Sequence, residues 1–257
     1  MHESSPIKLL VFDIDGVLTT GETKALDYEL LKCLAGFNQV ARENPRHPGV
    51  TLCSGRAAPY VELMTQAIDG FLPAVYENGA GLYIPHSYSF LPNPVMDSGS
   101  SILAVRQKLQ AELVETGFAF FQPGKEYTLT LFASDPANTD ILPDAVDQAL
   151  GSLGEAVHLL SSPSCLNILP LGVDKGSGIQ FLASQTHIDL ASMLGVGDSD
   201  IDVPFLSLVG YSAAPANANE AVKSVVQYIS SKSYMDGVRD IITHFGIYCD
   251  AVTTTVT

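Results

Sequence analysis

Apolar positions along this chain switch between two rhythms. The run "IKLLVF", Ile7 to Phe12, is uncharged after Lys8 and rich in branched and aromatic residues, which predicts a strand buried on both faces of a parallel sheet. A turn-rich flap, "GVLTTGET", follows. From Leu26 to Glu43 the apolar residues recur at helical spacing until "NPRHPG" stops them. A second unit repeats the order: "GVTLCSGR" reads as a strand ending at Ser54 and Gly55, "AAPYVELMTQAI" as a helix, and "PAVYENGA" as a third strand closing on a turn at Asn78 and Gly79. Strands alternating with helices imply a parallel, helix-covered sheet of the α/β class.

From about Gly81 the rhythm changes. "AGLYIP" and "YSFLP" read as a strand pair, "SSILAVRQKLQAELVET" as a helix, and "FAFFQ" with "YTLTLFA" as a second pair. "TDILPDAVDQALGSL" reads as another helix, and "AVHLLSS" with "CLNILP" as a last pair. Strand pairs separated by helices predict an antiparallel sheet with its helices on one face, an α+β module inserted at roughly 82 to 168. The βα rhythm returns near Lys175, with a helix over "KGSGIQFLASQT", a strand over "SMLGVG" and alternating elements to "DGVRDIITHFG". The expected division is a core of 1–81 and 169–257 around an inserted cap of 82–168, with a frayed tail over "DAVTTTVT".

Composition narrows the partners. At 257 residues and 46% hydrophobic content the chain can bury a core without staples. Its formal net charge of −15, from 28 acidic against 13 basic residues, disfavours nucleic acid and anionic membranes, which need basic patches. A phosphorylated ligand would need a metal ion and a few placed cations to offset that repulsion. The cysteines, Cys33, Cys53, Cys165 and Cys249, lie far apart, with no spacing for zinc and no disulfide framework. "MHESSPIKLL" lacks a signal peptide's charged start and long apolar core, and no segment approaches a membrane span. The expectation is a soluble cytoplasmic protein, a monomer or small homo-oligomer.

Against that background the stretch "VFDIDGVL" stands out. Asp13 and Asp15 sit at the end of an apolar strand, where the carboxyl edge of a parallel sheet opens into a ligand crevice. Asp-x-Asp-Gly is also ordinary turn chemistry, with Gly16 free to adopt positive φ. Other elements fall at comparable places: Ser54 after the second strand, Lys175 opening a helix, and Asp198 with Asp202 in "GVGDSDID" after another strand. Taken singly, each has a plain reading as cap, surface charge or turn residue. Taken together they match phosphoryl transfer through an aspartyl-phosphate, which needs a carboxylate nucleophile, a hard cation and an acid for the leaving alcohol. Carboxylates on different strands, such as Asp13 and Asp198, are a suitable inventory for Mg²⁺. Lys175, Ser54 and the N–H groups near Gly55 and Gly16 would hold the transferring oxygens.

The motifs "DIDGVL", "CSGR", "VDKG" and "GDSDID", in this order, resemble those of the haloacid dehalogenase-like superfamily over almost the whole chain. "ENGA", "PANANEAVK" around Asn217 and "DGVRDII" resemble its Cof-type branch. The insert is similar to the smallest cap of that branch, the form found in sucrose-phosphate, mannosyl-phosphoglycerate and archaeal phosphoglycolate phosphatases. The resemblance implies a Rossmann-like doubly wound core with an α+β cap of antiparallel sheet and two helices. It implies Asp13 as nucleophile, Asp15 as acid/base, Ser54, Gly55 and Lys175 around the phosphate, and Asp13, Asp15, Asp198 and Asp202 at a Mg²⁺ site. Candidate contacts to the leaving group are Arg56, Asn78, Glu126, Tyr127 and Asn167. One departure is Ile201, where such relatives carry Asn, an exchange that can weaken a metal site through its outer hydrogen bonds.

The expected activity is hydrolysis of a small phosphate monoester, a sugar phosphate or a phosphorylated carboxylic acid such as phosphoglycolate. A phosphomutase is a related reading, distinguished by a sugar bisphosphate requirement. A weakly active sugar-phosphate sensor is another, motivated by Ile201 and opposed by the retained Asp13 and Asp15. An Asp-x-Asp glycosyltransferase leaves Lys175 and "GDSDID" unexplained.

Overall fold

The structure is a computed structural model and describes residues 7–21, 23–96, 100–162 and 164–248. The expected frayed tail, 250–257, lies outside the described residues. Along the chain, β1 (Leu9–Phe12), α1 (Tyr28–Glu43), β2 (Gly49–Leu52), α2 (Ala58–Ala67) and β3 (Ala74–Tyr76) come first. They lead into β4 (Gly81–Ile84), β5 (Ser89–Pro92), α3 (Ser100–Leu109), β6 (Ala119–Phe121), β7 (Leu129–Ala133), α4 (Leu142–Leu150), β8 (Val157–Ser161) and β9 (Leu166–Pro170). The chain continues with α5 (Lys175–Thr186), β10 (Met193–Val196), α6 (Val203–Leu206), β11 (Tyr211–Ala214), α7 (Glu220–Val225), β12 (Tyr228–Ile229) and α8 (Tyr234–His244).

The main sheet is parallel, in the order β12-β11-β10-β1-β2, and a single bridge from Cys53 to Val75 brings β3 beside β2. Numbered by their succession in the core, these strands run 3-2-1-4-5-6, the doubly wound order whose switch point falls between β1 and β10. The reason is visible in β1, where all four side chains are fully buried. Leu10 and Phe12 pack with Leu30, Leu34 and Phe37 of α1, Met64 of α2 and Ile241 of α8. Leu9 and Val11 pack on the opposite face with Ile179 and Leu182 of α5 and Phe205 of α6. Each such side chain contributes about 1.5–3 kcal/mol, enough to hold unfavourable charge at the strand's end.

The cap is a four-stranded antiparallel sheet in the order β6-β7-β9-β8. Val105 and Leu109 of α3 and Val146 and Leu150 of α4 pack against Leu129, Leu131, Leu166 and Ile168, so both helices cover one face. Strand alternation sends Thr130, Phe132 and Asn167 to the other face, toward the core. One expectation is corrected. The hairpin of β4 and β5, read from sequence as the first pair of the cap sheet, is hydrogen-bonded to β3 in a separate three-stranded sheet. Leu82 and Ile84 are apolar on the face that meets Leu9, Val11 and Ile179, and that burial draws the hairpin onto the core. Cys33 is disulfide-bonded, against the expectation of no disulfide, because spacing carries no information on which cysteines a fold brings together. Cys53 and Cys165 are buried free thiols. Among the described residues no helix is long and apolar enough to cross a membrane.

Candidate active site

Asp13 extends β1 by one residue, its N–H donating to the Val196 carbonyl of β10 at 3.0 Å, so its carboxylate emerges at the switch point. Lys175 meets it from α5. The Asp174 side chain caps that helix, accepting from the Ser177 N–H at 2.7 Å, and this fixes Lys175 at the first helical position. A lysine there opposes the helix dipole, so its place has to be explained by partners. They are Asp13 Oδ1 at 2.8 Å and Asp202 Oδ1 at 2.5 Å, all three residues being buried.

Asp202 is held on both sides. Its Oδ2 accepts from the N–H groups of Asp198 and Ser199 at 2.9 and 3.0 Å and from the Ser199 hydroxyl at 3.3 Å. Asp13, Asp198 and Asp202 each place a carboxylate oxygen within 4.8 Å of the others. Burial pushes the Asp13 carboxyl up to about 7; Lys175 pulls it down, while Asp202 and Asp15 push it further up. Burial likewise raises Asp198 to about 8, with Asp13 and Asp202 adding to the effect. Burial disfavours the Lys175 ammonium, but Asp13 and Asp202 outweigh it and raise its pKa. Three carboxylates around one ammonium leave surplus negative charge, and an all-oxygen donor set suits a hard divalent cation. Gly16 makes room for this cluster: its φ is +84°, and a Cβ there would lie 2.0 Å from Asp198 Oδ2.

Asp15 stands apart. Expected among the metal ligands, it has its side chain outside the cluster, taken by a bidentate pair with Arg56 at 2.6 and 2.7 Å. The Arg56 guanidinium also lies over the Tyr60 ring, 4.6 Å from its centroid. Ser54 and Gly55 follow β2 into the same cavity, where the Ser54 N–H donates to Val75 O. Asn78, left-handed at φ 57° and buried, lines the cavity with a side-chain amide nitrogen that has no hydrogen-bond partner among the described residues. An unpartnered buried donor of that kind calls for a ligand.

The cavity, about 400 Å³, is closed from the other side by the open face of the cap sheet. Asn167 lines it from the cap, its Oδ1 accepting from the Thr130 hydroxyl at 2.8 Å. Glu126 and Tyr127, expected as substrate contacts, do not line the cavity. Their backbone N–H groups, with that of Thr128, donate to the Glu77 carboxylate at 2.8–2.9 Å, tying cap to core, and Tyr127 packs near Tyr76. Sequence reasoning missed Glu77 as this tether, although it lies in the quoted "ENGA". It also missed Lys125, beside the two residues it chose, and the role of Asn217, which donates to the Gly16 carbonyl at 2.9 Å. Ile201 lines the cavity rim.

A doubly wound sheet with an acidic cluster at its switch point and an inserted cap over it defines a class of capped α/β hydrolases. The sequence profile of the haloacid dehalogenase-like hydrolases matches residues 104–242, and the chain belongs to that family. It is 28% identical over 248 residues to a phosphoglycolate phosphatase of Picrophilus torridus, covering 94% of this chain and 92% of the relative. It is 24% identical to that of Thermoplasma volcanium, covering 94% and 99%. Among solved structures, a Thermoplasma acidophilum protein superposes with a TM-score of 0.75 at 21% identity, covering 95% of this chain and all of that one. A HAD/COF-like hydrolase from Plasmodium vivax gives 0.74 at 20% identity, covering 95% and 96%.

Proposed function

We propose that the protein is a Mg²⁺-dependent phosphatase that hydrolyses a small phosphate monoester through phospho-Asp13. The observation that carries this reading is the Asp13 carboxylate, buried at the switch point, with one oxygen on Lys175 and a second aspartate two residues on. Asp13 attacks phosphorus while the leaving oxygen takes a proton from Asp15. Asp15 then removes a proton from water, which attacks phospho-Asp13 and releases phosphate. For the first step Asp15 must exchange one hydrogen bond from Arg56 for the leaving oxygen. Ser54 and the Gly55 N–H hold the transferring oxygens, with Lys175 neutralising charge beside them. Asp13, Asp198 and Asp202 would hold the magnesium ion, which when bound supplies neutralisation of the negative charge converging at phosphorus.

The unit from α3 to β9 serves as the cap that excludes water and selects the leaving group. The named relatives are phosphoglycolate phosphatases, and the class carried over is a sugar phosphate or a phosphorylated carboxylic acid. The test is phosphate release from a panel of sugar phosphates, phosphoglycolate and p-nitrophenyl phosphate, with Mg²⁺ and with chelator. Release should require the metal, and Asp13→Asn should lower kcat by at least about a thousandfold with an unchanged circular dichroism spectrum. Comparable turnover by the variant would overturn the assignment.

A further inference from the structure

The cap carries a buried cation that the hydrolytic steps above do not use. Lys125 is 7% exposed and lines the same cavity as Asp13. Its Nζ donates to the Thr130 hydroxyl, which donates in turn to Asn167 Oδ1. Asn167 is oriented further by Ser162, whose Oγ lies 3.3 Å from its Nδ2. Among the described residues Lys125 has no carboxylate within ion-pairing distance. Glu77 acts on it electrostatically, but three N–H groups and the Thr128 hydroxyl already occupy its oxygens. The lysine's backbone is clamped as well: its carbonyl accepts from Arg106 at 2.9 Å, and the next N–H is held by Glu77. A charged side chain is expensive to bury without a partner, and this one is fixed in place rather than left to reach solvent.

We propose that Lys125, with Thr130 beside it, is a specificity site for a carboxylate on the leaving group, so that the substrate is a phosphorylated carboxylic acid and not a neutral sugar phosphate. The proposal rests on the phosphatase reading and names the substrate class of that site. A single ammonium matches a single negative charge. A second phosphate would bring a dianion into a cavity whose other cations, Arg56 and Lys175, are already paired with Asp15 and with Asp13 and Asp202. Burial lowers the Lys125 pKa to about 8, Glu77 and Cys165 working against that shift and Arg56 adding to it. The neutral amine therefore becomes the main form of the free enzyme above that pH, and kcat/KM, which reports the free enzyme, should fall there for carboxylate substrates alone.

The experiment compares matched pairs: phosphoglycolate with 2-hydroxyethyl phosphate, and 2-phosphoglycerate with glycerol 2-phosphate, in wild type and in Lys125→Met and Lys125→Arg. Wild type should favour the carboxylate member by about 10- to 100-fold in kcat/KM, the range of one charged hydrogen bond. Lys125→Met should remove that preference while changing the neutral member less than about threefold, and Lys125→Arg should restore part of it. Equal losses on both members, or no preference in wild type, would overturn the proposal. A melting curve of each variant establishes that it is folded. If no ester is hydrolysed at all, the phosphatase reading falls separately. The lysine is then judged by calorimetry of phosphoglycolate and inorganic phosphate binding to Asp13→Asn, with and without Lys125→Met. Weakening confined to phosphoglycolate supports the site, and equal affinity overturns it.

Discussion

The two walls of the cavity handle charge in opposite ways. On the core wall the buried Lys175 ammonium bridges the buried Asp13 and Asp202 carboxylates, and Asp202 also accepts from two backbone N–H groups. On the cap wall a single ammonium, Lys125, is buried against neutral hydroxyl and amide groups. The core wall thus carries a surplus of negative charge that a divalent cation would offset for any phosphate ester, whereas the cap wall carries one positive charge that only a ligand of opposite charge would offset. Stability and specificity are therefore carried by different residues, and variants on the two walls should fail differently.

The largest effect is expected on the core wall. Lys175→Met leaves Asp13 and Asp202 facing each other in a buried site without a cation, and breaking a buried pair in this way costs about 3–5 kcal/mol. Urea unfolding at neutral pH should show that loss, together with the disappearance of measurable turnover. Adding Asp202→Asn should return part of the stability, because it removes one uncompensated carboxylate, but none of the activity. A Lys175→Met protein as stable as wild type would mean that the two walls do not differ in the way described.

The tether between the walls is next. Glu77→Gln keeps the shape but removes the charge from four hydrogen bonds and turns an amide nitrogen toward backbone donors. Loss of such bonds to a charged group is worth about 1.5–3 kcal/mol, felt where the cap docks rather than throughout the core. Amide hydrogen exchange of Glu126, Tyr127 and Thr128 should quicken about 10- to 100-fold while β1 and β10 are unchanged. KM should rise severalfold as Lys125 loses its fixed position. Uniform exchange throughout the chain would show that cap and core unfold as one unit.

The contrast between the walls also governs what the sequence revealed. Core positions were legible because a strand end, a helix start and a turn are local signals, and parallel strands then carry Asp13, Ser54, Lys175 and Asp198 to one edge. The cap gave no such help. Lys125 is one lysine in a loop, and its meaning depends on burial by strands β7 and β9, paired across 37 residues at Thr130 and Asn167. Glu126 and Tyr127 stand out in the sequence instead, because side chains, not backbone N–H groups, are what a sequence displays. The hairpin of β4 and β5 was misplaced for a related reason: antiparallel pairing is legible in a hairpin, but the sheet it joins is decided by which core its apolar face meets.

Ile201 provides the smallest and sharpest test. The resemblance to Asn-bearing relatives implied that the exchange strips an outer hydrogen bond from the metal site, a loss that can reach about 10- to 100-fold. In the fold, Asp202 is already held in place without any side chain from position 201, its Oδ1 bound by Lys175 and its Oδ2 by two N–H groups and a hydroxyl. Asp198 has its own amide neighbour, Asn217 Nδ2, at 3.5 Å. Ile201→Asn should therefore change the half-saturating Mg²⁺ concentration by less than about threefold, well below what such an outer hydrogen bond can contribute. The variant's effect should fall instead on KM, since this side chain lines the cavity rim facing the cap. A tenfold gain in metal affinity would show that the core wall is less complete than its hydrogen bonds indicate, and would place a deficit on the side of the cavity where none is expected.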